Sequence, residues 1–101
     1  MTRRPDFPTG FEWSAAKAVA NYRKHNVSFE EAATAFQDPN QLVVFDRQDD
    51  AGEDRFVLIG LTRISNLLAV VHVERRERIR IISARRATRR ESVDYASKLE
   101  D

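Results

Sequence analysis

The spacing of apolar residues changes near residue 42, and this change is what most constrains the fold. Downstream of it, four short segments rich in Val, Ile, Leu and Phe alternate with polar connections, a pattern typical of β-strands. The predicted strands are Leu42–Phe45, Arg55–Leu61, Leu67–Val73 and Arg78–Ser83. Because the connections are too short for crossover helices, we expect consecutive strands to be antiparallel neighbours in a meander.

Upstream of residue 42, apolar residues recur at the spacing of helices. Ser14 is a good N-cap residue, and Asn26 tolerates the left-handed conformation found just after a helix. The sequence therefore predicts a first helix between them. Its predicted buried stripe consists of Ala16, Val19 and Ala20.

Two capping patterns predict two more helices. Ser28 with Glu31 begins a second helix that ends before Pro39, and Thr88 with Glu91 begins a last one. The last helix carries Val93, Ala96 and Leu99 on one face. We therefore expect an α+β fold with two N-terminal helices, a four-stranded antiparallel meander sheet and a C-terminal helix.

The chain has 101 residues, which is enough for one small domain. Residues 1–10 contain two prolines and a glycine without apolar periodicity, so we expect a flexible N-terminal arm followed by a single domain at 11–101. No segment approaches membrane-spanning length, and no apolar signal region follows the basic N-terminus. These features predict a cytoplasmic protein that does not bind membranes.

Metal and cofactor chemistry has little support in the sequence. The chain has no cysteine, and its two histidines, His25 and His72, do not have the spacing of a zinc site. We expect neither a metal site nor a cofactor.

Arginine is concentrated in one part of the chain. Residues 75–90 contain eight arginines and no lysine, with Glu77 as the one acid. A guanidinium group matches phosphate with a planar fork of donors, whereas a solubilising surface usually mixes lysine and glutamate. This pattern favours an anionic partner, although a solvated, salt-bridged surface is the alternative.

The hairpin formed by the last two strands carries the candidate catalytic residues. A three-residue connection at 75–77 would pair Glu74 with Arg78 and His72 with Arg80 on one face. An acid or base, an orienting carboxylate and a phosphate clamp would then meet, as metal-free RNA cleavage through the 2′-hydroxyl requires. A structural ladder of cross-strand salt bridges with an incidental histidine is the alternative.

Other basic residues are candidate RNA ligands. Arg85 lies where the last helix begins, so phosphate binding and structural pairing are both open, and Lys17 could instead pair with a carboxylate such as Glu12. The full set of RNA-binding candidates is Arg55, Lys17, Arg75, Arg76, Arg85 and Arg86.

Several segments together resemble one known family. They are FEWSAAKAVANYRKHNVSFEEAATAF at 11–36, DRFVLIGLT at 54–62, VVHVERRERIRIISARRATRRE at 70–91, and Tyr95. In these segments the chain resembles the BrnT-type toxins of bacterial toxin–antitoxin systems. It departs from the usual pattern at Ser14, where aspartate is usual, and at Asn26, where glycine is usual.

This resemblance implies a RelE-like fold and a metal-independent endoribonuclease that arrests growth. It also implies a BrnA-like antitoxin with a ribbon-helix-helix DNA-binding dimer, a 2:2 heterotetramer, and operator DNA bound only through the antitoxin. Two functions of other classes remain open: a non-catalytic RNA- or DNA-binding module that uses the arginines at 75–90, and an interaction protein whose basic surface meets an acidic protein.

Overall fold

The computed structural model describes residues 10–100 of the chain. The elements in chain order are β1 (Gly10–Glu12), α1 (Ala15–His25), α2 (Phe29–Thr34) with a 3-10 turn at Ala35–Gln37, β2 (Leu42–Gln48), β3 (Asp54–Leu61), β4 (Leu67–Arg75), β5 (Arg78–Arg86) and α3 (Arg89–Leu99). The predicted flexible arm lies outside the described residues except for Gly10, which instead begins a strand.

The sheet has five strands in the order β1-β5-β4-β3-β2. Strands β2 to β5 form the predicted antiparallel meander, which is confirmed. The fifth strand, β1, was not predicted; it pairs in parallel with β5, so Phe11 lies beside Ile79 and Glu12 beside Arg80. The prediction of a purely antiparallel four-stranded sheet is therefore wrong, because a three-residue strand gives no alternation that sequence can reveal.

The helix boundaries follow the predicted caps. The Ser14 side chain accepts a hydrogen bond from the Lys17 amide at 3.2 Å, and Asn26 ends α1 with a left-handed φ of 57°. The Ser28 side chain caps α2, and Thr88 with Glu91 forms a complete capping box on α3. The three predicted helices are confirmed.

Helices cover both faces of the sheet. On one face α1 and α2 enclose the main core, which consists of Val27, Phe29, Ala32, Ala35, Phe36, Leu58, Leu68, Val70, Ile79, Ile81 and Ala84. On the other face Tyr95 of α3 packs with Ile59 and Ala69 in a smaller cluster. We call these the main-core face and the α3 face.

The predicted buried stripe of α1 is wrong, and the apolar residues on one face of α3 are exposed as well. Ala16, Val19 and Ala20 of α1 are exposed, and so are Val93, Ala96 and Leu99 of α3. Each helix instead buries one polar anchor, Asn21 in α1 and Tyr95 in α3. A buried polar side chain with specific hydrogen bonds can fix a helix whose apolar stripe is too narrow to do so, and apolar spacing alone does not reveal it.

The register of the last hairpin also differs from the prediction. Two residues, Arg76 and Glu77, connect β4 to β5, and Arg76 adopts a left-handed φ of 49° that allows so short a turn. His72 therefore lies opposite Ile81 and Val73 opposite Arg80. A bulge at Ile82 then shifts the register by one residue, so that Val71 lies opposite Ser83.

Candidate nucleic-acid interface

One row of residues crosses the whole sheet on the α3 face. In register, the row runs from Glu12 through Arg80, Val73 and Arg55 to Arg47. Paired side chains on neighbouring strands point to the same side, with Cβ atoms about 5 Å apart. Four interstrand steps of about 4.8 Å make the row about 19 Å long, and arginine occupies three of its five positions.

A second row lies one step closer to the β4–β5 turn. Arg75 is the partner of Arg78, and Gly10 lies beside Arg78 on β1. Both arginines share a face with Arg80, because residues two apart on a strand point the same way. We define the arginine face as Arg47, Arg55, Arg75, Arg78 and Arg80, all on the side of the sheet that carries α3.

Three carboxylates hold three of these arginines in place. Glu53 accepts two hydrogen bonds from Arg75, at 2.9 and 2.8 Å, which is the bidentate geometry that guanidinium and carboxylate prefer. Glu12 Oε2 lies 3.1 Å from Arg75 Nη1 and 3.3 Å from Arg80 Nη1. The hydrogen bond from Arg75 is the main reason that the pKa of Glu53 lies below its usual value.

Arg55 is held by Asp49, whose Oδ2 lies 3.4 Å from its Nε. The Asp49 side chain also accepts the Glu53 and Ala51 amides, so it orders the β2–β3 connection as well. Hydrogen bonds from Glu53, and then from Arg55, lower the pKa of Asp49. Arg55 is thereby positioned in the middle of the row.

Arg47 and Arg78 make no ion pair or hydrogen bond with another residue of the described range 10–100 through their side chains. Both are exposed. The arginine face therefore combines guanidinium groups that carboxylates orient in advance with guanidinium groups whose donors are available. Five arginines against Glu12, Glu53 and Asp49 leave this surface positively charged, which is the arrangement expected of a phosphate-binding surface.

His72 lies on the opposite side of the sheet, inside the main core. It is only 1% exposed and contacts Phe36 edge-on, with ring centroids 4.8 Å apart, and Phe56 in a stacked arrangement at 6.0 Å. Its Nδ1 lies 3.2 Å from the carbonyl oxygen of Val70. Burial lowers the pKa of His72, so the imidazole is neutral at pH 7.

The predicted convergence of four catalytic residues on one face is therefore wrong. His72 and Glu74 share the main-core face, where Glu74 Oε2 lies 3.5 Å from His72 Nε2, while Arg78 and Arg80 lie on the arginine face. The two-residue turn causes this separation, because a change of one residue in register moves every side chain to the other face.

The remaining candidates lie at the margins of the arginine face or away from it. Arg85 makes a bidentate ion pair with Glu91 at 2.8 and 3.0 Å, and this pair lowers the pKa of Glu91 to about 2. Arg86 donates to Asn66 at 3.1 Å at the far end of β5. Arg76 is exposed at the turn, and Lys17 is exposed on α1.

Sequence reasoning missed two members of this surface. Arg47 was assigned to a loop, but β2 continues to Gln48 through a bulge between Phe45 and Arg47 that interrupts the alternation. Glu12 was considered only as a partner for Lys17, whereas it pairs with Arg75 and Arg80. No local signal identifies either residue, because both positions depend on strand pairing.

Within residues 10–100, no group of three or more His, Cys, Asp or Glu residues has the geometry to hold a metal ion. In the same range, no helix has the length and apolar character needed to cross a membrane.

The model of one protein family matches most of the chain. Residues 13–91 match the model of a family described as the ribonuclease toxin, BrnT, of type II toxin–antitoxin systems. The matched range includes the strands β2 to β5 and every arginine of the arginine face. A search of curated proteins found no match.

Proposed function

Because the chain belongs to the BrnT family of ribonuclease toxins of type II toxin–antitoxin systems, we propose that it is an endoribonuclease that binds the RNA backbone on its arginine face. The observation that carries the proposal is the row that contains Arg80, Arg55 and Arg47 and crosses the four strands from β5 to β2. A strand-borne array of this kind is rigid, so its guanidinium groups are preorganised for a run of phosphates.

We assign the scissile phosphate to Arg78 and Arg80. Arg78 and Arg80 lie two residues apart on β5 and point to the same face, so they can bind two oxygens of one phosphate or two successive phosphates. Arg78 brings donors that no other residue of the range 10–100 engages, and Arg80 is oriented by Glu12. In the proposed reaction a base takes the proton of the 2′-hydroxyl and the 2′-oxygen attacks phosphorus to form a 2′,3′-cyclic phosphate. The bond between phosphorus and the 5′-oxygen breaks, and the 5′-oxygen takes a proton from a general acid or from water. The arginines neutralise the charge that develops on the phosphate, so the proposed reaction is metal-independent.

Two candidates exist for the proton transfers: the pair His72 and Glu74, and the single residue Glu12. The pair His72 and Glu74 supplies an imidazole and a carboxylate, but His72 is 1% exposed and lies across the sheet from Arg80. Glu12 touches both Arg75 and Arg80, so a phosphate bound there would bring a 2′-hydroxyl near its oxygens. This geometry favours Glu12 as the base in our proposal, with His72 and Glu74 as the alternative.

The biological setting also belongs to the proposal. The family implies that the protein inhibits translation and growth by cutting RNA and that an antitoxin neutralises it. We propose a BrnA-like antitoxin, a 2:2 complex, operator DNA bound only through the antitoxin, and a RelE-like relationship for the fold. The exposed arginine face supports the need for a partner, since a free nuclease of this kind would damage its own cell.

The test is incubation of the purified protein with an RNA oligonucleotide in EDTA. We expect cleavage that leaves 2′,3′-cyclic phosphate or 3′-phosphate ends, and no cleavage where a single 2′-deoxy sugar stands at the scissile position. A requirement for Mg²⁺, or equal cutting of DNA, would contradict the mechanism. RNA binding without any cleavage would instead support the non-catalytic alternative.

Two variants separate the proton-transfer candidates. We expect Glu12→Gln to reduce cleavage by at least about 100-fold, the usual contribution of general base catalysis, while the folded protein still binds RNA. His72→Phe keeps an aromatic ring between Phe36 and Phe56 and should retain cleavage. The opposite result, activity lost only in His72→Phe with an intact fold, would move the chemistry to the His72 and Glu74 pair.

A further inference from the structure

Strand β2 forms a long, uncovered edge of the sheet. It has seven residues, it is last in the strand order, and it pairs only with β3 among the elements of the described range. Three consecutive apolar residues on it are exposed: Val43 by 40%, Val44 by 45% and Phe45 by 59%. Exposed apolar edge strands are sites where another chain adds a strand, and free monomers usually avoid them.

We propose that this edge is the docking site of the antitoxin, which adds an extended strand beside β2. The proposal rests on the proposed function, because that function supplies the antitoxin as a partner. In such a complex the unpaired backbone groups of β2 hydrogen-bond to the added strand, and alternate side chains of that strand contact both faces of the edge.

The two faces of β2 specify the side chains of the partner. Val43 and Phe45 point to the main-core side, where Phe45 packs edge-on against Phe56 with ring centroids 6.0 Å apart. Val44 points to the α3 side, since it is paired with Val57. The added strand therefore carries apolar residues on both faces at its centre, which buries all three exposed side chains of β2.

The charge at the end of β2 specifies one further residue. Arg47 lies on the arginine face and has no ion-pair partner in the described part of the chain. A residue of the added strand directly opposite Arg47 comes within about 5 Å of it, so an acidic residue fits there. The partner segment is thus apolar in the middle and acidic near the end that reaches Arg47.

A second copy of this chain fits the edge less well. Paired antiparallel through β2 with the exposed residues Val43–Phe45 of both copies opposite each other, a copy brings Gln41 and Leu42 to the end of the strand at Arg47. The acidic residue of its strand, Asp46, then lies opposite Leu42 and not opposite Arg47. Within residues 10–100, the other edge of the sheet, β1, has three residues and offers a much shorter ladder. These contrasts favour β2 as the edge and an acidic, apolar antitoxin segment as its occupant.

The position of β2 also explains how an antitoxin bound there would inhibit RNA binding. An acidic side chain on Arg47 occupies the end of the row that contains Arg55 and Arg80, and it competes there with RNA phosphates. The antitoxin then reduces RNA binding even if it leaves Arg78 and Arg80 uncovered.

The experiment compares hydrogen exchange of the free protein with that of its complex with a BrnA-like antitoxin, obtained by co-expression. We expect slower exchange of the amides of Leu42–Gln48 in the complex. Unchanged exchange along β2, with protection at α1, α2 or β1 instead, would overturn the proposal. So would a stable dimer of the free toxin formed through β2.

Two variants test the side-chain contacts, Val43→Lys and Phe45→Lys, because lysine is a residue that natural edge strands use to block pairing. Each should weaken antitoxin binding by about tenfold or more, since each prevents the burial of an apolar side chain. The matched control is Val19→Lys on α1, where the valine is 52% exposed; it should bind the antitoxin like the parent. Equal binding by all three variants would overturn the proposal.

Cleavage of RNA by each free variant serves as the separate readout. Variants that cut RNA but bind the antitoxin weakly support the docking site. If the parent itself fails to cut RNA yet binds the antitoxin through β2, the proposed function fails while the docking site stands.

Discussion

The side-chain amide of Asn21 hydrogen-bonds to both backbone polar groups of Ala84, 63 residues further along the chain. Asn21 Nδ2 donates to the Ala84 carbonyl at 2.9 Å, and Asn21 Oδ1 accepts from the Ala84 amide at 3.1 Å. A second bond from Nδ2 reaches the carbonyl of Val27 at 3.0 Å. The side chain of Asn21 therefore bonds to the backbone of β5 at a point that β1 does not reach. In doing so it fixes α1 against the sheet.

Asn21→Ala should destabilise the fold strongly. The substitution leaves the amide and carbonyl of Ala84 buried without partners, and we expect a loss of about 2–4 kcal/mol in the free energy of unfolding. Urea denaturation measures it. Asn40→Ala is the control, because the Asn40 side chain is exposed, and it should change stability by less than about 0.5 kcal/mol. Similar values for both variants would contradict the anchoring role.

Tyr95 should make stability depend on alkaline pH. Its burial, together with the hydrogen bond to Asp38 at 2.5 Å, raises the pKa of Tyr95 to about 12 from a usual 10.0. Between these values the folded state keeps a proton that the unfolded state loses. The contribution of the protonated Tyr95 hydroxyl to the free energy of unfolding is therefore complete below pH 10 and disappears as the pH rises towards 12. Unfolding experiments between pH 9 and about 12 should show this loss in the parent and not in Tyr95→Phe. The control Tyr22→Phe, at a residue 54% exposed, should behave like the parent.

His72 should make stability depend on mildly acidic pH. Burial lowers its pKa from a usual 6.5, so the unfolded chain takes up a proton more readily than the folded one. This difference in pKa does not change the free energy of unfolding above pH 6.5. It lowers the free energy of unfolding as the pH falls below that value. His72→Phe should flatten the pH dependence in this range, while His25→Asn should leave it in place. An unchanged profile in His72→Phe would mean that the pKa of His72 is the same in the folded and unfolded states.

Arg78 and Arg80 should dominate the salt dependence of RNA binding. If about four arginines of the arginine face contact phosphates, the slope of log K against log salt concentration is about −3 for single-stranded RNA. The double variant Arg78→Ala, Arg80→Ala removes two contacts and should bring the slope to about −1.5. Fluorescence anisotropy at several salt concentrations measures both. Arg63→Ala, at an exposed position in the β3–β4 turn, should keep the parental slope; the same fall in slope there would locate the RNA elsewhere.

Local signals in the sequence were sufficient for most of the fold. The caps at Ser14, Ser28 and Thr88 predicted where helices begin, since each satisfies backbone amides within four residues. The four long strands were predictable from their apolar composition and short connections, which allow few topologies. Strand β1 was not, because its pairing with β5 joins residues about 68 positions apart.

The candidate site, like the fold, could be predicted from the sequence only in part. The concentration of arginine at 75–90 predicted an anionic partner, which stays a prediction, and it placed Arg75, Arg78 and Arg80 among the candidates. It could not show which sheet face each residue occupies. That depends on the left-handed turn at Arg76, and the bulge at Ile82 changes the register again further along β5.

The sequence by itself determined the kind of elements, their order and the surplus of guanidinium groups, because these follow from interactions between residues close in the chain. The tertiary structure alone decided that His72 is buried beside Phe36 and Phe56 while Arg80 shares a row with Arg47. The physical reason is the two-residue period of a strand: a turn shorter by one residue exchanges the faces, and only the packing of the whole sheet selects that turn.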